Sequence, residues 1–140
     1  MLKYKLLLSL LISFLLIGCS IADSKIQGAD QLSEAQSLMK KKAHELLQAD
    51  KATDLIIFND SIYLKTENTE YEPKETLFEI SSMYKKGKDI EEGMATKLPV
   101  GTVIKSAKNK SGSAPLIIAD LPGTPAVYQL VFNPYSIDER

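Results

Sequence analysis

The residues of this 140-residue chain with obvious chemical potential are few. One cysteine, Cys19, closes an apolar run in the stretch "LIGCS" and is the single thiol available for acylation or nucleophilic attack. With no second cysteine, an internal disulfide and a CxxC redox or zinc motif are both excluded. One histidine, His44, stands beside Glu45 and four residues after Lys40. General base catalysis would need a nucleophile within its reach, and no GxSxG is present. Two acidic groups, Glu67, Glu70 and Glu72, then Asp89, Glu91 and Glu92, have carboxylates suited to a cation or to paired acid–base work. Neither group has the regular oxygen spacing of an EF-hand loop, so both read as solvated acidic loops without metal or catalytic role. The glycines stand singly at turns and form no phosphate-cradling loop. No cofactor is implied.

The cysteine gains meaning from what precedes it. Lys3 and Lys5 flank the amino terminus, and Leu6 to Ile17, "LLLSLLISFLLI", is twelve residues without a charge. A stable span needs roughly 20 apolar residues, so this run fits the apolar region of a signal peptide instead. Leu16-Ile17-Gly18-Cys19 resembles the lipobox of bacterial lipoproteins: a branched apolar residue, an apolar or small one, Gly or Ala, then Cys. The resemblance implies cleavage between Gly18 and Cys19, a diacylglyceryl group on the Cys19 thiol, and residence on the extracytoplasmic face of the cell membrane. Two acyl chains make release slow where one anchors only marginally, at roughly 0.8 kcal/mol per buried CH₂.

A second resemblance is spread more thinly. "ATKLPVGTVIK" over Ala95–Lys105, then "APLIIAD" and "AVYQLVF", is similar to an outline in small Gram-positive lipoproteins, including those that confer lantibiotic immunity of the subtilin and nisin type. It implies capture or exclusion of a cationic membrane-active peptide, and no binding residue is carried over by motif. Leu98-Pro99-Val100-Gly101-Thr102 reverses the last two residues of the sortase pattern and lacks an apolar stop and basic tail, which excludes sortase anchoring.

The elements that must position these groups follow from composition and period. Seventeen basic and eighteen acidic side chains nearly cancel. Without residues 1–18, which contain Lys3 and Lys5, fifteen basic groups face eighteen acidic ones. Nucleic acid is thus excluded as a partner, and Arg140 is the single arginine. Residues 19–31 read as the lipidated cysteine and a flexible tether reaching roughly 20 Å. Residues 32–140 read as one globular domain.

Within it, Ser33–Gln48 has helical spacing, with Ser33 and Gln36 placed as in a capping box and an apolar stripe of Ala35, Leu38, Met39, Ala43, Leu46 and Leu47. Lys40, Lys41 and Lys42 form its solvated face, next to the anchor. "DLIIF" and "SIYLKT", separated by Asn59-Asp60, predict a hairpin. Glu67–Pro73 reads as a polar loop stopped by Pro73, and Glu75–Lys85 fits helix or strand, with β-formers tipping it to strand. Gly101–Lys105, Pro115–Asp120 and Ala126–Phe132 complete the strands, the last with Tyr128, Leu130 and Phe132 sharing one face.

The expected fold is α+β and mostly β: one N-terminal amphipathic helix packed on an antiparallel sheet of about five strands. The expected function is a lipid-anchored binding module without enzymatic activity. Its specific form is immunity against a cationic peptide, with Glu67, Glu70, Tyr71 and Glu72 as the contact surface. An envelope assembly lipoprotein that docks another protein is the first alternative, and a carboxylate-based cell-wall hydrolase the second.

Overall fold

The computed structural model describes residues 23–68 and 70–139, so the expected signal segment 1–18, ending at Gly18, and the expected lipidation site Cys19 lie outside the described residues. The described chain divides into two units between Glu34 and Ala35, and the whole sheet belongs to the second. Helix α1 runs Asp23–Ala49. It starts ten residues before the expected cap at Ser33, so residues 23–31, expected as tether, are helical. The reason is local: Lys25, Gln27, Ala29, Gln31 and Leu32 are good helix formers, no proline intervenes, and the single Gly28 costs only about 1 kcal/mol.

Eight strands follow: β1 Leu55–Phe58, β2 Ser61–Thr66, β3 Tyr71–Glu79, β4 Ser82–Met83, β5 Met94–Ala95, β6 Val103–Asn109, β7 Leu116–Asp120 and β8 Ala126–Phe132. A short 3₁₀ helix, Pro134–Glu139, ends the described chain. The strands form one sheet in the order β3-β6-β7-β8-β2-β1-β5-β4. Among the described residues the protein is thus mostly β with one α-helix, as expected, but the sheet has eight strands and is mixed, since β4 and β5 run parallel. Three local features separate the observed strands and their bounds from the expected ones. Two-residue strands such as β4 and β5 carry no readable period. Pro73 does not stop β3; it lies opposite Ala107 on an edge strand, where a missing N–H breaks no ladder on the open side. And β6 continues to Asn109, into what reads as a loop.

The β1–β2 hairpin forms as expected, with Asn59 (φ 51) and Asp60 (φ 55) both left-handed, as a type I′ turn demands. Strand alternation then sorts the core into two clusters. Leu55, Ile57 and Ile62 face α1, where they pack with Met39, Ala43, Ile90 and Met94. Of the predicted helix stripe, Ala35, Met39 and Ala43 are buried, Leu46 and Leu47 half-buried, and Leu38 is 40% exposed. The opposite face of the sheet buries Ile56, Ile80, Ile104, Ile117 and Tyr128. A register shift between Ile62 and Tyr63 pairs them with Phe132 and Leu130, leaving Val131 as the extra residue of a bulge. The bulge moves Phe132 to the α1 side, away from the face it was expected to share with Tyr128 and Leu130.

The second cluster can be dry because the sheet curls. Phe58 of β1 and Phe78 of β3, with four strands between them in the sheet, stack with centroids at 4.3 Å and planes at 8°. The curl is closed by two adjacent residues between β3 and β4. Ile80 N donates to Thr102 O at 2.9 Å and Gly101 N donates to Ile80 O at 2.8 Å. Its neighbour Ser81 N donates to Gly93 O at 3.0 Å, and Gly93 N to Ile57 O at 3.0 Å. One peptide step therefore carries the chain from one edge of the sheet to the other.

Gly93 is fitted to this corner. Its φ of +75° disfavours any L side chain, and a Cβ placed there would meet Ser81 Oγ at 2.6 Å. Gly93→Ala is expected to destabilise the protein by about 1–3 kcal/mol. The cost should shrink in a Ser81→Ala background, where the steric clash is gone and the backbone strain remains. Urea unfolding of the four proteins checks this, and an equal cost in both backgrounds would contradict the close approach.

Candidate functional site

The structure splits the four residues expected to form a contact surface. Glu67 and Glu70 are exposed in the β2–β3 loop, while Tyr71 and Glu72 are half-buried as the first residues of β3. Consecutive strand residues point to opposite faces, so Tyr71 and Glu72 do not share a surface. Charge is also balanced there. Glu72 accepts from Lys74 Nζ and lies 4.0 Å from Lys110 Nζ. Its carboxyl is held below the usual range, first by the hydrogen bond from Lys74, with the fields of Lys74, Lys110 and Lys108 adding to it. The loop itself is tied to the β6–β7 turn: Lys110 N donates to Glu70 O at 2.8 Å, and Asn68 Nδ2 donates to Ser111 Oγ at 3.0 Å.

The second acidic group has structural work. Glu92 accepts the N–H groups of both Asn59 and Asp60 and so holds the hairpin turn. Asp89 accepts from Lys40 Nζ at 2.7 Å and from Ile90 N at 2.9 Å, joining the β4–β5 loop to α1. Among the described residues, no group of three or more His, Cys, Asp or Glu is placed to hold a metal ion.

A different site is built where that loop meets the end of α1. Met83 leaves the sheet, the chain runs out through Tyr84–Asp89, and Ile90 returns it to the core against Met39 and Ala43. Lys85 to Lys88 is a tight turn, with Lys88 N donating to Lys85 O at 2.9 Å and Gly87 at φ +85° in the third position, where a type II turn needs glycine. On the other side α1 ends at Ala49, and Ala52 N donates to Asp50 Oδ1 at 2.8 Å to turn the chain. Thr96 pins the floor: its Oγ1 donates to Thr53 O at 2.9 Å and accepts from Leu55 N at 2.9 Å.

These segments enclose a cleft of about 820 Å³ lined by His44, Leu47 and Gln48 of α1, by Lys51, by Tyr84, Lys86, Gly87, Lys88 and Asp89 of the loop, and by Thr96 and Lys97. Leu47 and Tyr84 supply apolar surface, and four lysines and a histidine supply cationic or polar groups. Sequence reading placed His44 on a helix and Lys86-Gly87-Lys88 in a turn, and nothing in their spacing brings them to Lys51 and Lys97. The pairing depends on the β4–β5 excursion, which has no period to read. Comparison with protein-family models, with curated proteins and with solved structures finds no match for this chain.

The Lys40–Asp89 pair sets one wall of the cleft. The Lys40 hydrogen bond, followed by that from Ile90 N, holds the Asp89 carboxyl below the ordinary aspartate range. A lowered folded-state pKa gives stability that is present above the unfolded value and lost as pH falls through the folded one. Lys40→Met is therefore expected to raise the Asp89 pKa toward its ordinary value, read by carboxyl ¹³C shifts in a pH titration. An unchanged midpoint would show that the pair does not form.

Proposed function

We propose that the protein is a lipid-anchored binding module on the extracytoplasmic face of the cell membrane, without enzymatic activity, and that its ligand occupies the cleft between α1 and the β4–β5 loop. The observation that carries the binding reading is the cleft itself. Its volume lies within the range of small-ligand sites, roughly 300–1,000 Å³. Apolar surface lies beside a few converging polar groups, as ligand recognition requires. The anchor rests on the lipobox order ending in Gly18-Cys19.

The lining also supports binding over turnover. Asp89 is its one carboxylate among the described residues, and Lys40 already holds it. A carboxylate-based hydrolase needs two converging acids. Capture of a cationic peptide would fall to Glu67 and Glu70, which are exposed, but Lys74, Lys108 and Lys110 gather around neighbouring Glu72 and offset the negative field such a peptide would follow.

Two measurements test the reading. Cys19→Ala is expected to abolish lipid labelling and shift the protein out of the membrane fraction; unchanged labelling and retention would remove the anchor. The chain has no tryptophan, so Tyr84→Trp places a single fluorophore in the cleft. A panel of small anionic, neutral and cationic amphiphiles should include at least one that shifts its emission saturably and is recovered unchanged. A panel that leaves the emission unmoved would refute the cleft as a binding site.

A further inference from the structure

Resting on the cleft as the binding site, we infer that its ligand is an anionic amphiphile, a phosphate ester carrying an apolar group. Lys51, Lys86, Lys88 and Lys97 come from three separate segments and line one cleft. Among the described residues none of the four forms an ion pair, although five other lysine–carboxylate contacts are made, one of them from Lys40 to Asp89 at the wall of the cleft. All four lysines are exposed, so water and salt screen part of their mutual repulsion, and a counter-charge seated among them would relieve the rest. The protein provides little of it: Asp89 is engaged by Lys40, and the last carbonyls of α1 supply only a partial negative charge. The remaining counter-charge is left for a ligand.

The lysine type narrows the chemistry. An ammonium is a compact point charge that binds phosphate without the bidentate geometry of arginine, so recognition here is by charge and depends on salt. His44 adds a ring that can donate to an oxyanion. Leu47 and Tyr84 line the same space with apolar surface that a bare phosphate would leave wet. The shared chemistry is that of a phospholipid headgroup with its glycerol and first methylenes, or of a soluble phosphate ester.

The test uses the full-length chain carrying Tyr84→Trp in neutral detergent, titrated with monohexyl phosphate, inorganic phosphate and hexyltrimethylammonium. In a second arm the chain is reconstituted in vesicles of phosphatidylcholine, alone or in an equal mixture with phosphatidylglycerol. Monohexyl phosphate should shift the emission saturably and bind about tenfold or more tightly than the other two soluble probes, and the affinity should fall with added salt. The triple variant Lys86→Gln/Lys88→Gln/Lys97→Gln should lose about tenfold or more, with Lys97→Glu alone moving in the same direction and Lys65→Gln, outside the cleft, without effect. A response to the soluble ester and not to the mixed vesicles identifies a soluble source; a response to phosphatidylglycerol identifies a lipid headgroup. Hexyltrimethylammonium binding as tightly as the phosphate ester, or lysine variants binding like the parent, overturns the anionic ligand and leaves a binding cleft. Silence toward every probe overturns the cleft as well.

Discussion

Ile80 and Ser81 hydrogen-bond to opposite edges of the same sheet, and the rest of the structure depends on that step. Ile80 completes the β6 side through Thr102 and Gly101, and Ser81 completes the β5 side through Gly93. An open eight-stranded sheet would expose one apolar face to water. Closing it puts Phe58 against Phe78 and buries Ile56, Ile104 and Ile117 without a second layer of helices. At roughly 25 cal/mol per Å² of apolar surface removed from water, that closure stabilises the fold, and glycine at position 93 takes the positive φ of the corner at no steric cost.

The same step explains the strand that sequence makes most conspicuous. Leu55, Ile56 and Ile57 are all fully buried, because α1 covers one side of β1 and the curled sheet covers the other. A strand buried on both faces reads as a continuous apolar run and not as an alternation. One polar group at the margin is matched across the fold: Tyr128 Oη donates to Asp54 Oδ1 at 2.9 Å, and burial, with the Asp54 charge beside it, pushes that phenol's pKa well up. The corner also decides where the cleft lies, since β4 leaves it directly into Tyr84–Asp89, beside the last turns of α1.

What sequence made legible was local. Asn59-Asp60 between two apolar runs specified the hairpin through its left-handed turn, and the three- and four-residue spacing of Ala35, Met39 and Ala43 specified the buried face of α1. "PLIIAD" and "AVYQLVF" were strands by composition and are strands in the fold. What stayed illegible depended on distant partners. Pro73 is harmless only because β3 is an edge, and Phe132 changes face only because of a bulge against β2. Glu72 looked like part of an acidic surface because Lys108 and Lys110 lie far from it in sequence and beside it in space. The cleft was hidden for the same reason, being assembled from α1, Lys51 two residues after it, the β4–β5 loop and the turn after β5.

The corner at Ile80–Ser81 locks the curl and so holds the cleft in place. Residue-resolved amide hydrogen exchange tests it most directly. The amides of Ile80 and Ser81, which donate to carbonyls on the two sides of the closure, and those of Gly93 and Thr96, which donate to β1 beside it, should exchange together and as slowly as the amides of β1 and β8. Exchange of Ile80, Ser81 and Gly93 at the rate of the exposed Lys85–Lys88 turn, while β1 and β8 stay protected, would contradict it.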